Sequence, residues 1–301
     1  MSIPPSKKNP VLIINPVSGR GDGRNRVKEL QRIAHNLGWQ GYVLETTPEK
    51  HAGVLAKKLV AEGYRHLVIC GGDGSVMETL DAVAGTTTQL GIVPLGTGNL
   101  FALNLKIPQN IAAAMKVALH GQSTSIDVGF AEKTYFGVAV GIGWDAAVIR
   151  DAKRELKDRL GLLAYFLAAL RNLEHPISNY RVIVDHAAPL EVKAKSVLVA
   201  NMGLIPGSIQ VIPKARPNSG ELTVAIVQAE SLLSWLALSA SALTGRMHDD
   251  PNIQLITGKH IVIESLDGPQ LVEADGNDLP PTERLVVDVI PGGATILLPR
   301  R

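Results

Sequence analysis

The stretch His66-Leu67-Val68-Ile69-Cys70-Gly71-Gly72-Asp73-Gly74-Ser75 decides the fold. Its first five residues are apolar almost without interruption, the pattern of a strand buried on both faces. The glycines that follow read as a tight turn, and a helix is expected over 75–84. The same order of apolar run and small-residue turn occurs twice more. Pro10-Val11-Leu12-Ile13-Ile14 runs into Asn15-Pro16-Val17-Ser18-Gly19-Arg20-Gly21, and Gln89-Leu90-Gly91-Ile92-Val93 runs into Pro94-Leu95-Gly96-Thr97-Gly98-Asn99. Helices are expected over 24–36 and 51–62, with a further strand at 41–45. Strands alternating with helices at this spacing imply a parallel sheet covered on both faces.

Beyond about residue 126 the texture changes to apolar runs separated by turns, at 182–185, 196–200, 222–227, 260–264 and 285–290. This half reads as mainly antiparallel β. Two stretches rich in Leu and Ala, 153–173 and 231–244, are expected to be helical interruptions. The chain of 301 residues is long enough for two cores.

Composition narrows the class. A hydrophobic fraction of 46% against 19% charged residues excludes long disordered tails. Thirty basic and 28 acidic residues give a net charge of +2, too small a footprint for duplex nucleic acid. The lone cysteine, Cys70, falls inside an apolar run and reads as a buried strand residue; no disulfide within the chain is possible, in keeping with a reducing cytoplasm. Met1-Ser2-Ile3-Pro4-Pro5 does not read as a signal peptide, and the long uncharged stretch 82–105 is broken by Gly, Pro, Thr and Asn, so no membrane span is expected. The eight histidines show no zinc-site spacing.

In an open α/β sheet, ligands collect beyond the carboxyl ends of the strands, where three of the four expected strands end in small-residue turns. Turns without side chains let backbone N–H groups approach phosphate oxygens, and a following helix adds the positive end of its dipole. Ser18, Thr97 and Asn99 can add side-chain hydrogen bonds. Asp73, flanked by Gly71, Gly72, Gly74 and Ser75, is a carboxylate directly after a buried strand. It either holds Mg²⁺ of a magnesium–nucleotide complex or caps the helix that follows. Glu78 is either a ligand contact or a surface residue of that helix.

These motifs, taken in order with Asp127-Val128-Gly129, Gly141-Ile142-Gly143-Trp144-Asp145-Ala146 and Glu273-Ala274-Asp275-Gly276-Asn277, resemble the diacylglycerol kinase catalytic family, which includes bacterial lipid kinases and sphingosine and ceramide kinases. The resemblance spans essentially the whole chain. It implies an α/β N-terminal domain like that of NAD kinases and phosphofructokinases over 1–126, completed by about 291–301, and an antiparallel β-sandwich lipid-substrate domain over 127–290. It also implies ATP and Mg²⁺ as cofactors, ATP in a cleft between the domains, and phosphoryl transfer to a lipid hydroxyl at a membrane surface by a cytoplasmic, peripherally attached enzyme. Asn15, Ser18, Gly19, Thr46, Gly71, Gly72, Asp73, Gly74, Ser75, Glu78, Gly96, Thr97 and Asn99 are its nucleotide-site residues, and Asp73 the metal-organising one.

Two departures bear on chemistry. The family's late Asp-Gly-Glu triplet, whose carboxylates serve as base and metal-organising group, reads Asp275-Gly276-Asn277 here, and an amide accepts no proton at neutral pH. Asp275 is then the candidate base. Glu273, two residues earlier and on the same face if the strand continues, is its candidate substitute. In Arg216-Pro217-Asn218-Ser219-Gly220-Glu221, Ser219 occupies the place of an Asp that belongs to the family's structural Mg²⁺ site, and a neutral hydroxyl is a poor replacement.

The segment 150–159 holds five basic and three acidic residues and precedes an apolar run over 160–170; it suits an anionic leaflet or an ordinary helix with one buried face. Trp144 and Trp235 suit either a membrane interface or a core. Open sandwich edges would allow a homodimer. The rival readings are a soluble kinase of the NAD kinase type and a nucleotide-binding regulator without turnover. Phosphorylation of NAD but of no lipid marks the first, and ATP binding without transfer the second.

Overall fold

The computed structural model describes residues 7, 9–19, 23–143, 177–205, 209–210, 212, 214–228 and 250–300. The stretches expected to be helical at 153–173 and 231–244, the charged segment 150–159, Trp144 and Trp235 lie outside them. The chain divides into two compact units, Met1–Ile126 with Gly292–Arg301, and Asp127–Pro291.

In the first unit the expected alternation is present. Strand β1 (Val11–Ile14) leads to helix α1 (Gly23–Asn36), then β2 (Val43–Glu45), α2 (Ala52–Ala61), β3 (His66–Gly71), α3 (Asp73–Val83) and β4 (Gln89–Pro94). The strands lie parallel in the order β2-β1-β3-β4. All four residues of β1 are buried, as are all but the first of β3 and of β4. Unbroken apolar runs are what a sheet covered on both faces requires. The helices bury one stripe each, Val27, Leu30 and Ala34 on α1 and Ala52, Leu55, Ala56 and Leu59 on α2, at the three- and four-residue spacing of a helix face.

Two helices follow that the sequence reading did not separate, α4 (Leu100–Asn104) and α5 (Ile111–His120). The signal for α5 was Asn110, whose side chain accepts the N–H of Ala113 as an N-cap. Helix α3 begins at Asp73, two residues earlier than expected, because extended Gly72 already serves as its N-cap.

The second unit is antiparallel β. It comprises β5 (Gln122–Ala131, which enters from the first unit), β6 (Thr134–Phe136), β7 (Ala139–Gly143), β8 (Ser178–Val184), β9 (Leu190–Ala194), β10 (Ser196–Ala200), β11 (Leu204–Ile205), β12 (Ile209–Gln210), β13 (Leu222–Val227), β14 (Ile253–Gly258), β15 (His260–Ser265), β16 (Gln270–Ala274), β17 (Asn277–Thr282) and the first part of β18 (Arg284–Leu298). The end of β18 belongs to the first unit, where Thr295 and Ile296 pair parallel to Gln89 and Leu90.

One sheet of the second unit has the order β14-β13-β10-β7-β16-β17, and the other runs β18-β15-β8-β9. Val140, Ile142, Val199, Val224 and Val272 from the first share a core with Tyr180, Val182, Ile261, Ile263 and Leu285 from the second. Two inner faces meeting over one apolar layer make a β-sandwich. β13 is buried at all six positions because a second cluster, containing Ala225, Val227, Ala200, Ile212, Ala215 and Ile253, covers its other face.

Candidate functional site

In the first unit three turns meet beyond the carboxyl ends of adjacent parallel strands. The register pairs Ile14 with Cys70 and Gly71 with Pro94, so the chain leaves β1, β3 and β4 at one level. The Asn15 amide donates to Cys70 O and the Leu95 amide to Gly71 O, each at 2.9 Å. Asn15 Nδ2 donates to Ser75 Oγ at 2.9 Å, and the Gly72 amide donates to Ser18 Oγ at 3.3 Å. Asn15 and Ser18 therefore lock the first turn onto the second. A Cβ on Gly96 would stand 2.9 Å from Gly72 Cα, so the two glycine turns touch backbone to backbone. Gly19 adopts φ +83°, next to Leu95 O.

Around this cradle, Thr46 follows β2 with its amide on Ile14 O at 2.9 Å. Thr97 is exposed. Asn99 is buried in a left-handed conformation (φ 49°) that Asn tolerates better than most residues. Its Nδ2 donates to Gly96 O and to Gln109 Oε1, both at 2.9 Å, while its Oδ1 is buried without a hydrogen-bond partner.

Asp73 does not cap its own helix. It occupies the first position of α3, and its Oδ1 accepts the amide of Leu100, the first residue of α4, at 2.6 Å. Burial holds its carboxyl above the ordinary range, against the pull of the Leu100, Asn99 and Phe101 amides. The alternative that Asp73 caps the helix following it is thus corrected: Gly72 is that helix's N-cap, and the Asp73 carboxylate reaches the next one. Glu78 is set apart from the cradle: its Oε2 accepts the Gly53 amide at 3.2 Å and meets His51 Nδ1 at 2.9 Å, tying α3 to the start of α2.

Gly74 gives the clearest fit to a phosphate-bearing ligand. It lies in the first turn of α3, and a Cβ there would meet nothing within 4 Å. No positive φ demands glycine at this position, and glycine disfavours a helix by about 1 kcal/mol relative to Ala. The intramolecular packing gives no reason for it, and the open space leaves room for a ligand at the uncapped amides of α3. The orphaned Asn99 Oδ1, the Gly72–Gly96 contact and the desolvated Asp73 carboxylate fit a nucleotide with an associated cation.

In the second unit Asp275-Gly276 forms the two-residue turn of the β16–β17 hairpin. Ala274 pairs with Asn277, and both turn residues have positive φ, 49° and 79°. Asp-Gly between two strands is the sequence signal for such a turn. It changes the expected chemistry. Glu273 and Asp275 do not share a strand face: Glu273 is buried with Oε2 on the Gly276 amide at 2.6 Å, whereas Asp275 points at the connection between β6 and β7. Asp275 Oδ2 accepts from Gly137 at 2.6 Å, and its Oδ1 accepts from Val138 and Ala139 at 2.9 and 3.0 Å. Three amides engage the carboxylate of Asp275, so the candidate base also anchors backbone. Asn277 is exposed at the start of β17.

The Ser219 hydroxyl, a poor replacement for a carboxylate ligand, is engaged within its own turn. Its Oγ lies 3.0 Å from Arg216 O and 2.8 Å from Glu221 O, closing its own turn. The neighbouring Gly220 amide donates to Asp127 Oδ2 at 2.7 Å. Among the described residues no group of three or more His, Cys, Asp or Glu is placed to hold a metal ion. Asn201, absent from the sequence reading, is fully buried and joins Asp127 O and Gly137 O through Nδ2 at 2.9 and 2.8 Å.

Residues 9–131 match the Diacylglycerol kinase catalytic domain and residues 138–298 the YegS C-terminal NAD kinase beta sandwich-like domain. A diacylglycerol kinase of Staphylococcus carnosus is 26% identical over 266 residues, covering 87% of this chain and 86% of that protein. A crystal structure of a diacylglycerol kinase from Bacillus anthracis shares the fold with a TM-score of 0.81 at 24% identity, covering 97% of both chains. An NAD kinase of Archaeoglobus fulgidus, solved in complex with ATP, is more distant, with a TM-score of 0.50 at 11% identity over 96% of this chain and 93% of that one. With these matches running from the first strand to the last, the chain belongs to the diacylglycerol kinase catalytic family in its two-domain, YegS-like form.

Proposed function

We propose that this protein transfers the γ-phosphate of ATP to the hydroxyl of a lipid such as diacylglycerol, working at a membrane surface as a peripheral enzyme. The observation that carries the nucleotide half of the reading is Gly74, a glycine that the packing of the chain itself does not require. Family membership supports the kinase half. Among the described residues no helix is long and apolar enough to cross a membrane.

Bound as its magnesium complex, ATP supplies the transferable phosphoryl group with part of its charge neutralised. This chain's residues position it. The amides at the start of α3 and the bare backbone of Gly72 and Gly96 receive phosphate oxygens, with Asn15 and Ser18 fixing the turns that carry them. The second oxygen of Asp73 is the candidate cation ligand, its first being held by Leu100. Asp275, by gripping three amides, sets the path of the chain after β6. A loose phosphoryl-transfer transition state asks for positioning and charge neutralisation more than for a strong base, which accords with an amide at position 277.

The test is transfer of labelled γ-phosphate from Mg·ATP to a total lipid extract in mixed micelles, with Asp73→Asn as control. A labelled lipid that depends on Asp73 is the expected result. ATP binding with no labelled product would overturn it in favour of a nucleotide-binding regulator, and labelled NADP with no labelled lipid in favour of an NAD kinase-type enzyme.

A further inference from the structure

In the second unit the turn from Arg216 to Glu221 stands where the resemblance to the family implies a structural cation. Its donor set does not fit one. Magnesium demands oxygen ligands at about 2.0–2.1 Å, usually with carboxylate charge among them. Here the carbonyls of Arg216 and Glu221 converge instead on the Ser219 hydroxyl, at 3.0 and 2.8 Å, which are hydrogen-bond lengths. The oxygen itself fills the space between the two carbonyls. It also accepts the Glu221 amide at 3.3 Å, and the Ser219 amide returns to Arg216 O at 3.2 Å. The carboxylate of Asp127 takes the Gly220 amide through Oδ2, and the Asp127 amide donates to Pro217 O, each at 2.7 Å. The turn is thus closed by hydrogen bonds on both sides, with Gly220 in the left-handed region (φ 70°).

We infer that the Ser219 hydroxyl stands in for the cation that the family resemblance implies at this turn: it bridges the Arg216 and Glu221 carbonyls and makes the second unit independent of divalent metal. A single hydroxyl proton serves two carbonyl acceptors at once or in alternation, so the turn is held by weaker but neutral bonds and needs no charge at position 219. Replacing Ser219 by Asp would restore a carboxylate beside two converging carbonyls, a hard-oxygen set suited to a divalent cation.

The inference concerns stability and stands apart from phosphoryl transfer. The experiment compares melting of the nucleotide-free, full-length protein in millimolar Mg²⁺ and in excess EDTA, for the wild type, Ser219→Ala and Ser219→Asp, and counts Mn²⁺ bound by the wild type and Ser219→Asp from the free-ion electron paramagnetic resonance signal. The wild type is expected to melt at the same temperature in both buffers. Ser219→Ala is expected to melt lower, by about 2–4 °C and equally in both, as loss of one ordinary hydrogen bond gives. Ser219→Asp is expected to bind one Mn²⁺ more than the wild type and to melt lower in EDTA. A wild-type melting temperature that drops in EDTA, with the drop abolished in Ser219→Ala, would overturn the inference. So would a folded Ser219→Asp protein that binds no additional Mn²⁺. Should that variant fail to fold, the wild-type and Ser219→Ala melts decide the matter alone.

Discussion

Asp73 Oδ1 accepts the Leu100 amide at 2.6 Å, joining the helix that starts after β3 to the helix that starts after β4. One carboxylate, carried on the middle of the three convergent turns, organises the third. This has a cost: burial lifts the carboxyl above its ordinary range, so ionisation opposes folding.

The sign of the resulting pH dependence follows from that shift. Stability is complete below the ordinary carboxylate range near pH 4 and is lost as pH rises through the higher folded-state value. Asp73→Asn keeps an acceptor for Leu100 and carries no charge. It is expected to melt at or slightly below the wild-type temperature near pH 4 and above it at pH 7. Melting curves across that interval check the trend, and a variant that melts below the wild type at pH 7 would contradict it. The same substitution is expected to lower transfer by about 100-fold or more, the scale of losing one preorganised electrostatic contact.

Gly74 and Gly96 should respond in opposite ways. Gly74→Ala meets open space and gains helix propensity, so the nucleotide-free protein is expected to gain up to about 1 kcal/mol. ATP affinity is expected to fall about tenfold, because the new methyl stands at the approach to the α3 amides. Gly96→Ala places its Cβ 2.9 Å from Gly72 Cα and is expected to lose about 1–3 kcal/mol. Denaturant unfolding with ATP titration separates the two; unchanged ATP affinity in Gly74→Ala would remove the main support for the nucleotide reading.

Asp275 separates anchoring from proton transfer. Asp275→Ala strips an acceptor from the Gly137, Val138 and Ala139 amides and puts a methyl side chain at φ 49°. A loss of about 2–4 kcal/mol is expected. Asp275→Asn makes an Asn-Gly turn, which suits two positive φ values, and retains one acceptor. It is expected to fold and to keep transfer within about tenfold, a change near 1.4 kcal/mol in barrier. An Asp275→Asn protein that folds normally yet transfers no phosphate would support the base assignment instead.

Asn277 is exposed at the start of β17. Asn277→Glu is therefore expected to change stability by less than about 0.5 kcal/mol. It is expected to leave transfer within about tenfold, as a transition state that asks for positioning more than for a strong base implies. Steady-state rates on the same lipid micelles check this. An unchanged rate would mean that the reaction here proceeds without a base at that position.

Much of this arrangement was legible from residues alone. Parallel strands covered on both faces must be continuous apolar runs, so β1, β3 and β4 were found within a residue or two of their limits, along with the small-residue turns at their ends. The antiparallel strands β10 and β13 were legible at their full length for the same reason: apolar runs bounded by turn residues. Short α4 escaped notice because its start rests on left-handed Asn99 and on a carboxylate 27 positions away. The shared face of Glu273 and Asp275 depended on a continuing strand, and the Asp275-Gly276 turn ends that strand.

The sequence by itself determined where the chain is extended, where it is helical and where glycine brings backbone to the surface of a turn, because those properties depend on neighbours a few residues apart. Only the tertiary structure decided what each carboxylate and hydroxyl touches. Asp73 finds Leu100, Asp275 finds amides 136 to 138 positions earlier, and Ser219 finds the two carbonyls of its own turn. The two long-range pairings are set by crossovers and by the turn that aims the side chain, and the local one by a left-handed Gly220. Hydrogen-bond partners are fixed by geometry at the ångström scale, and residue type alone does not encode that geometry.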